Sequence, residues 1–210
     1  MQHQTDGMFG WLYDIGMWVA KMMYLHLLWV MFTILGLGLF GITPATIAMM
    51  TIFQRWFEGD PDVPIFQTFK SVYKKQFITA NKLGLLMIGA GLFLLYDYYI
   101  SKTILQVFII HVGLLIVIIL YGITLLYLLP VFVRYELKFF QYIKQAFLVA
   151  LAQPFSSIGM IICLLIVYYM LIIVPALFVF IGSSIIFYLI SQIAYRAFLK
   201  IEKKKVENIS

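Results

Sequence analysis

His26 and His111 are the only side chains inside the long apolar runs of this chain that titrate near neutral pH. In an apolar setting, two imidazoles suggest either a proton relay or a shared contact to a bound ligand. Two lone histidines do not complete a metal site, and no carboxylate accompanies either one within its run. The structural reading is therefore the stronger one: a neutral imidazole hydrogen-bonding across a helix interface. The acidic cluster Glu58, Asp60 and Asp62 lacks the oxygen-rich loop that a divalent cation requires, and it reads as a helix-capping turn. Arg134 and Glu136 stand two residues apart, a spacing that does not let them face each other on a helix. Cys163, the single cysteine, has no internal disulfide partner and reads as packing. Phosphate-loop, zinc-hydrolase, serine-nucleophile and dinucleotide motifs are absent from the sequence. Neither a catalytic set nor a cofactor is expected.

The elements that must position these residues are membrane helices. The chain is 64% hydrophobic and 11% charged, with a mean hydropathy of +1.01. That composition lies outside the range of soluble domains and fits a polytopic membrane protein. Apolar runs at about 22–43, 83–100, 104–129, 156–174 and 180–196 each suit one crossing. Thirteen of the fifteen lysines and arginines fall in alternate flanking segments: eight in 44–82 and 130–155, and five from Arg196 to Lys205. Lys21 and Lys102 fall in the other set. Cytoplasmic loops retain Lys and Arg, so this split predicts five spans with the N-terminus outside and the C-terminus inside. The expected fold is all-α, a single membrane domain over 1–210. The net charge of +6 then reflects topology and attraction to anionic headgroups. No nucleic-acid partner is expected, since no detached basic domain is present.

Turn chemistry divides the chain further. Thr43 followed by Pro44 predicts an N-cap and first residue of a helix reaching about Phe57. Pro130 is expected to close the third run, Pro154 to end the segment after it, and Pro175 with Gly182-Ser183-Ser184 to turn the chain between the last two spans. Residues 8–20 either lie in the interface or continue into the first span. One straight helix over 9–41 would be about 50 Å long, so a bend is expected. Two cytoplasmic amphipathic helices are predicted, over 64–80 and 131–153. In the first, Ile65, Phe66, Phe69, Val72, Tyr73 and Phe77 keep helical spacing, with Lys70, Lys74 and Lys75 on the remaining surface. Such a helix lies on headgroups or docks on a partner, which makes Phe66, Phe69, Lys70, Tyr73, Lys74 and Lys75 the candidate surface contacts. The charged tail from Lys200 onward is expected to fray.

Residues 24–82 carry a recognisable set of motifs. These are L-x-L-L-W at Leu25–Trp29, G-x-x-P-A-T at Gly41–Thr46, R-W-x-x-G at Arg55–Gly59, and P-x-F-x-x-F-x-x-x-Y-K-x-x-F from Pro64 to Phe77, followed by Ala80-Asn81. With the Arg134–Pro154 segment and G-S-S-I-x-x-Y-L at Gly182–Leu189, the chain resembles the YesL family of small bacterial membrane proteins. An Asn often stands in that family where this chain has His26, and either residue can hydrogen-bond across helices. The resemblance implies a multi-pass protein of a bacterial cell membrane with no assigned activity. It also implies an association with sugar uptake, and so a non-enzymatic accessory partner of ATP-binding-cassette sugar permease subunits in the lipid bilayer. The alternative is a stand-alone transporter or channel for a small neutral solute, against which stand the odd span number and the lack of charge within the runs.

Overall fold

The first helix stops at a glycine turn, before Thr43-Pro44 is reached. In a computed structural model that describes residues 8–105 and 107–207, seven helices follow one another, with no strand among the described residues. They are α1 (Met8–Leu35), α2 (Leu39–Phe57), α3 (Ile65–Ile100), α4 (Phe108–Arg134), α5 (Phe139–Ala152), α6 (Pro154–Ile173) and α7 (Pro175–Glu207), with a π-helical turn at Ser101–Leu105 after α3. Residues 8–20 continue directly into the first span. The expected bend lies at the other end of α1, where Leu37 and Gly38 adopt positive φ of 59° and 72°. The Gly38 N–H bonds the Thr33 carbonyl at 2.9 Å and the Leu37 N–H bonds that of Ile34 at 3.0 Å. This is a Schellman stop, which satisfies carbonyls that the helix end would otherwise leave free.

The turn sends α2 back along α1. Trp29 Nε1 donates to Thr46 Oγ1 at 3.0 Å, and farther along Lys21 Nζ donates to the Pro61 carbonyl at 2.9 Å. Close approach at the tip depends on two glycines. A Cβ at Gly41 would collide with the Thr33 backbone, and one at Gly36 with the Gly41 backbone and the Tyr73 hydroxyl. α2 is the hub of the bundle, with every residue from Pro44 to Met50 buried, and Ile52 and Phe53 as well. Pro44 therefore sits inside α2 and does not start it. A second Schellman stop ends α2, with Gly59 at φ 96° and the Asp60 N–H bonded to the Arg55 carbonyl at 3.0 Å.

The return of α2 changes the charge arrangement. Lys21, assigned by the sequence pattern to the far side, stands beside Pro61 and over the Trp56 ring. It thus shares an end of the bundle with Glu58, Arg134 and Glu202, which are joined by ion pairs. The N-out/C-in arrangement is not reproduced by this packing, because α1 approaches the bundle from the end that also carries the C-terminal cations.

Other sequence signals also gave way to packing. Pro130 lies buried inside α4, which runs on to Arg134, and the predicted 131–153 helix begins only at Phe139, after an extended link. Pro154 opens α6 at its first position, where the missing N–H costs nothing. Val174 and Pro175 make the last turn, so Gly182, Ser183 and Ser184 lie within α7. The 64–80 segment is the first half of α3, a single helix of 36 residues, about 54 Å long and well beyond a bilayer core.

Among the described residues, five helices are long and apolar enough to cross a membrane: 10–35, 65–104, 108–134, 154–173 and 175–205. Only 17–28% of their most apolar windows is buried within the protein. An apolar surface that extensive has no stable place in water and is matched by lipid. Burial concentrates at the Arg134 end: α3 has no buried residue after Leu83, and α4 has none before Thr124. Gly41→Ala is expected to destabilise the fold by about 3 kcal/mol, because backbone rather than a mobile side chain opposes the added methyl. Gly89→Ala, where a Cβ meets nothing within 4 Å, should change stability by no more than about 1 kcal/mol, in the stabilising direction. Unfolding in mixed sodium dodecyl sulfate micelles measures both.

Candidate functional site

His26 sits where α1 crosses α7. Its Nδ1 accepts the Ser183 backbone N–H at 3.3 Å and lies 2.8 Å from Ser183 Oγ. A ring nitrogen that accepts the Ser183 N–H places the imidazole proton on Nε2 and commits Nδ1 to the contact between α1 and α7. One turn away, Ser184 Oγ donates to the Met22 carbonyl at 2.8 Å. These bonds tie α1 to α7 through groups that would otherwise be unsatisfied in an apolar interior.

His111 has different surroundings. It stacks against Tyr98 of α3, with ring centroids 4.8 Å apart, and its buried Nδ1 has no hydrogen-bond partner among the described residues. The described partners of the two histidines do not overlap, so the structure does not assemble them into one site.

The charged side chains gather at the opposite end of α4. Arg134 Nη1 meets Glu58 Oε1 at 2.7 Å and Nη2 meets Glu202 Oε2 at 3.1 Å. Its guanidinium lies over the Tyr195 ring, 5.3 Å from the centroid. The Tyr135 hydroxyl donates to Glu202 Oε1 at 3.1 Å. Burial, and next the hydrogen bond to that carboxylate, push the Tyr135 phenol up to about 12, so it remains a donor throughout the physiological range. This node joins the α2–α3 link, the end of α4 and the last turns of α7. Sequence spacing did not point to it: Glu58 had been assigned to a capping turn and Glu202 to a fraying tail. Only the return of α2 and the continuation of α7 bring these three segments together.

The candidate surface contacts divide by side of α3. Phe69 is fully buried on Phe32, with centroids 5.1 Å apart. Tyr73 is buried as well, donating to the Phe32 carbonyl at 2.9 Å. These two are interior residues, and so correct the surface assignment: the apolar stripe of this amphipathic helix is covered by α1 and α2. Phe66, Lys70, Lys74 and Lys75 remain exposed, and the Lys70 ammonium lies 5.9 Å from the centroid of the Phe66 ring.

Comparison with known proteins adds the relatives. A family described as "Protein of unknown function, DUF624" matches residues 22–98. Three Bacillus subtilis (strain 168) proteins match over most of their length. The chain is 32% identical to the uncharacterized protein YteU, over 97% of this chain and 91% of the relative. It is 36% identical to the uncharacterized protein YesV, over 88% of this chain and 89% of the relative. The chain belongs to the YesL-like DUF624 family. YesL itself, also uncharacterized, is 28% identical over 90% of each chain. No solved structure matches.

The residues that carried the likeness to the YesL-like family now have physical roles. Trp29 of the first motif bonds Thr46 of the second. Gly59 of the third supplies the positive φ that ends α2. Phe69 and Tyr73 of the fourth cover the end of α1. Ser183 and Ser184 of the last hold α1, and Tyr188 packs edge-on to Trp18 and Phe53. The motifs identify one core formed by α1, α2, α3 and α7, which explains why they mark relatives without revealing a reaction.

Arg134→Gln should cost about 1–3 kcal/mol, because it leaves two partly buried carboxylates without a charge partner. Glu58→Gln, at a carboxylate 43% exposed, should cost about 1 kcal/mol or less. A double-mutant cycle by the same micelle unfolding assay should return a coupling smaller than the Arg134→Gln loss, since Glu202 still holds the guanidinium.

Proposed function

We propose that this chain is a non-enzymatic accessory component of a bacterial cell membrane, serving carbohydrate uptake by docking on the permease subunits of an ATP-binding-cassette sugar transporter. The observation that carries the reading is the division of the first half of α3. Its apolar stripe is occupied within the chain, while Phe66, Lys70, Lys74 and Lys75 stay exposed. A cationic, aromatic-edged surface held by a rigid core suits recognition of an acidic patch on another protein. The association with sugar uptake comes from the family resemblance. A site built on fold-level analogy to permease coupling helices would use the same end. Five of the polar groups within the bundle support the non-enzymatic part: His26, Ser183, Ser184, Ser157 and Tyr73 are engaged in bonds between or within helices.

The same reading places the Arg134 end in the cytoplasm, where the excess of Lys and Arg belongs. In a Cys163→Ser background, Lys204→Cys should resist a membrane-impermeant thiol reagent in intact cells, and Thr103→Cys should react. The reverse pattern removes the proposed orientation. Tagged protein purified in mild detergent, after growth on plant-cell-wall sugars, should recover sugar-permease subunits. The Lys70→Glu/Lys74→Glu/Lys75→Glu variant should lose them by about tenfold or more. These three exposed positions leave the core intact, so a variant that folds and still recovers the permease argues against the docking surface. Absence of permease subunits from the wild-type eluate argues against the accessory role.

A further inference from the structure

At the end of the bundle away from Arg134, the α3–α4 connection forms a cleft lined in part by polar residues, and an apolar groove lies farther along α4. Ser101, Lys102, Val107, Phe108 and His111 line the cleft, which has a volume of about 250 Å³. Ser101 is only 1% exposed. Its Oγ and the Nδ1 of His111 are both buried without a hydrogen-bond partner among the described residues. Such groups are costly in a folded protein, and an incoming oxygen ligand relieves them after a small side-chain rotation. The π-helical turn that carries Ser101 and Lys102 is a rare backbone form that is frequent at functional sites.

From His111 the surface of α4 runs through Leu115, Ile119, Gly122 and Leu126 at steps of four, four, three and four, which is one helix face. The lower part of this stripe, with Ile161, Leu165 and Tyr168 of α6, lines a second and apolar cleft of about 510 Å³. The distance from His111 to Leu126 along the helix is about 22 Å, comparable to one leaflet of a bilayer. A cation, a hydroxyl and an imidazole stand at one end, and only apolar side chains and a glycine follow below. We propose that this face of α4 binds a phospholipid, with its phosphodiester at Ser101, Lys102 and His111 and one acyl chain against Gly122 and Ile119. Asp97 stands one turn before Ser101 on α3 and opposes a second negative charge, so the site favours a monoanionic phosphodiester over a phosphate dianion.

Native mass spectrometry of the full chain in detergent tests this, with dioleoyl phosphatidylglycerol as the probe. Dioleoylglycerol supplies the same chains without phosphate, and inorganic phosphate supplies the anion without chains. Lys102→Gln removes the exposed cation. Gly122→Phe fills the groove at a position where a Cβ meets nothing within 4 Å. Each variant should weaken phosphatidylglycerol binding about tenfold, and dioleoylglycerol should bind about tenfold more weakly than phosphatidylglycerol. Inorganic phosphate should leave lipid occupancy unchanged. Equal lipid binding by wild type and both variants overturns the proposal. So does equal binding of the two lipids, and displacement of the lipid by inorganic phosphate overturns the lipid as occupant. Should Gly122→Phe fail to fold, the Lys102→Gln comparison decides alone.

Discussion

Contact between the backbones of α1 and α2 at Thr33 and Gly41 is the constraint on which the rest of the bundle depends. It makes the two helices return on each other, and so presents α2 as a shared inner face for α1, α3, α4 and α7. Small residues permit this approach where hydrophobicity alone gives no drive for helices to associate in lipid. Once α2 is placed, Phe69 and Tyr73 close over the end of α1, and the Schellman turn at Gly59 aims the chain toward Arg134. The charged node is thus a consequence of the glycine contact as much as of its own attraction.

Polar chemistry in the bundle is divided by depth. His26, Tyr73, Tyr127, Ser157, Ser183 and Ser184 bond across helices, where unsatisfied groups are expensive. Arginine, glutamates and tyrosines meet at the Arg134 end, where partial solvent access reduces both the desolvation cost and the gain of each pair. The far end is sparsely packed, with α3, α4, α6 and the start of α7 presenting isoleucine, leucine and phenylalanine outward. Lipid is part of the solvent that holds this end together, and the clefts beside α4 are places where its molecules have a shape to fit.

The apolar runs were legible because length and composition alone distinguish a membrane helix, and the structure has five such helices. The joints were less legible. Thr43-Pro44 has the chemistry of a helix start, yet the positive φ at Leu37 and Gly38 had already turned the chain. Pro130 reads as a stop, but surrounding helices bury it within α4. Gly182, Ser183 and Ser184 read as a turn because their small size is a turn signal; their actual use is close contact with α1, and sequence alone does not separate these roles. The amphipathic period of 64–80 showed correctly which side of α3 is apolar. It could not show that protein rather than lipid covers Phe69 and Tyr73. Glu58, Arg134 and Glu202 lie 76 and 68 residues apart, and nothing local announces a pairing at such separation.

The unbroken length of α3 also has a mechanical meaning. The helix is held within the bundle from Thr68 to Leu83, its first and last buried residues, and the seventeen residues beyond Leu83 run about 25 Å to Ile100. A stiff rod held over one half of its length carries any tilt of that half into the other, so the lysine-bearing start of α3 and its far end, at opposite faces of the membrane, are mechanically one piece.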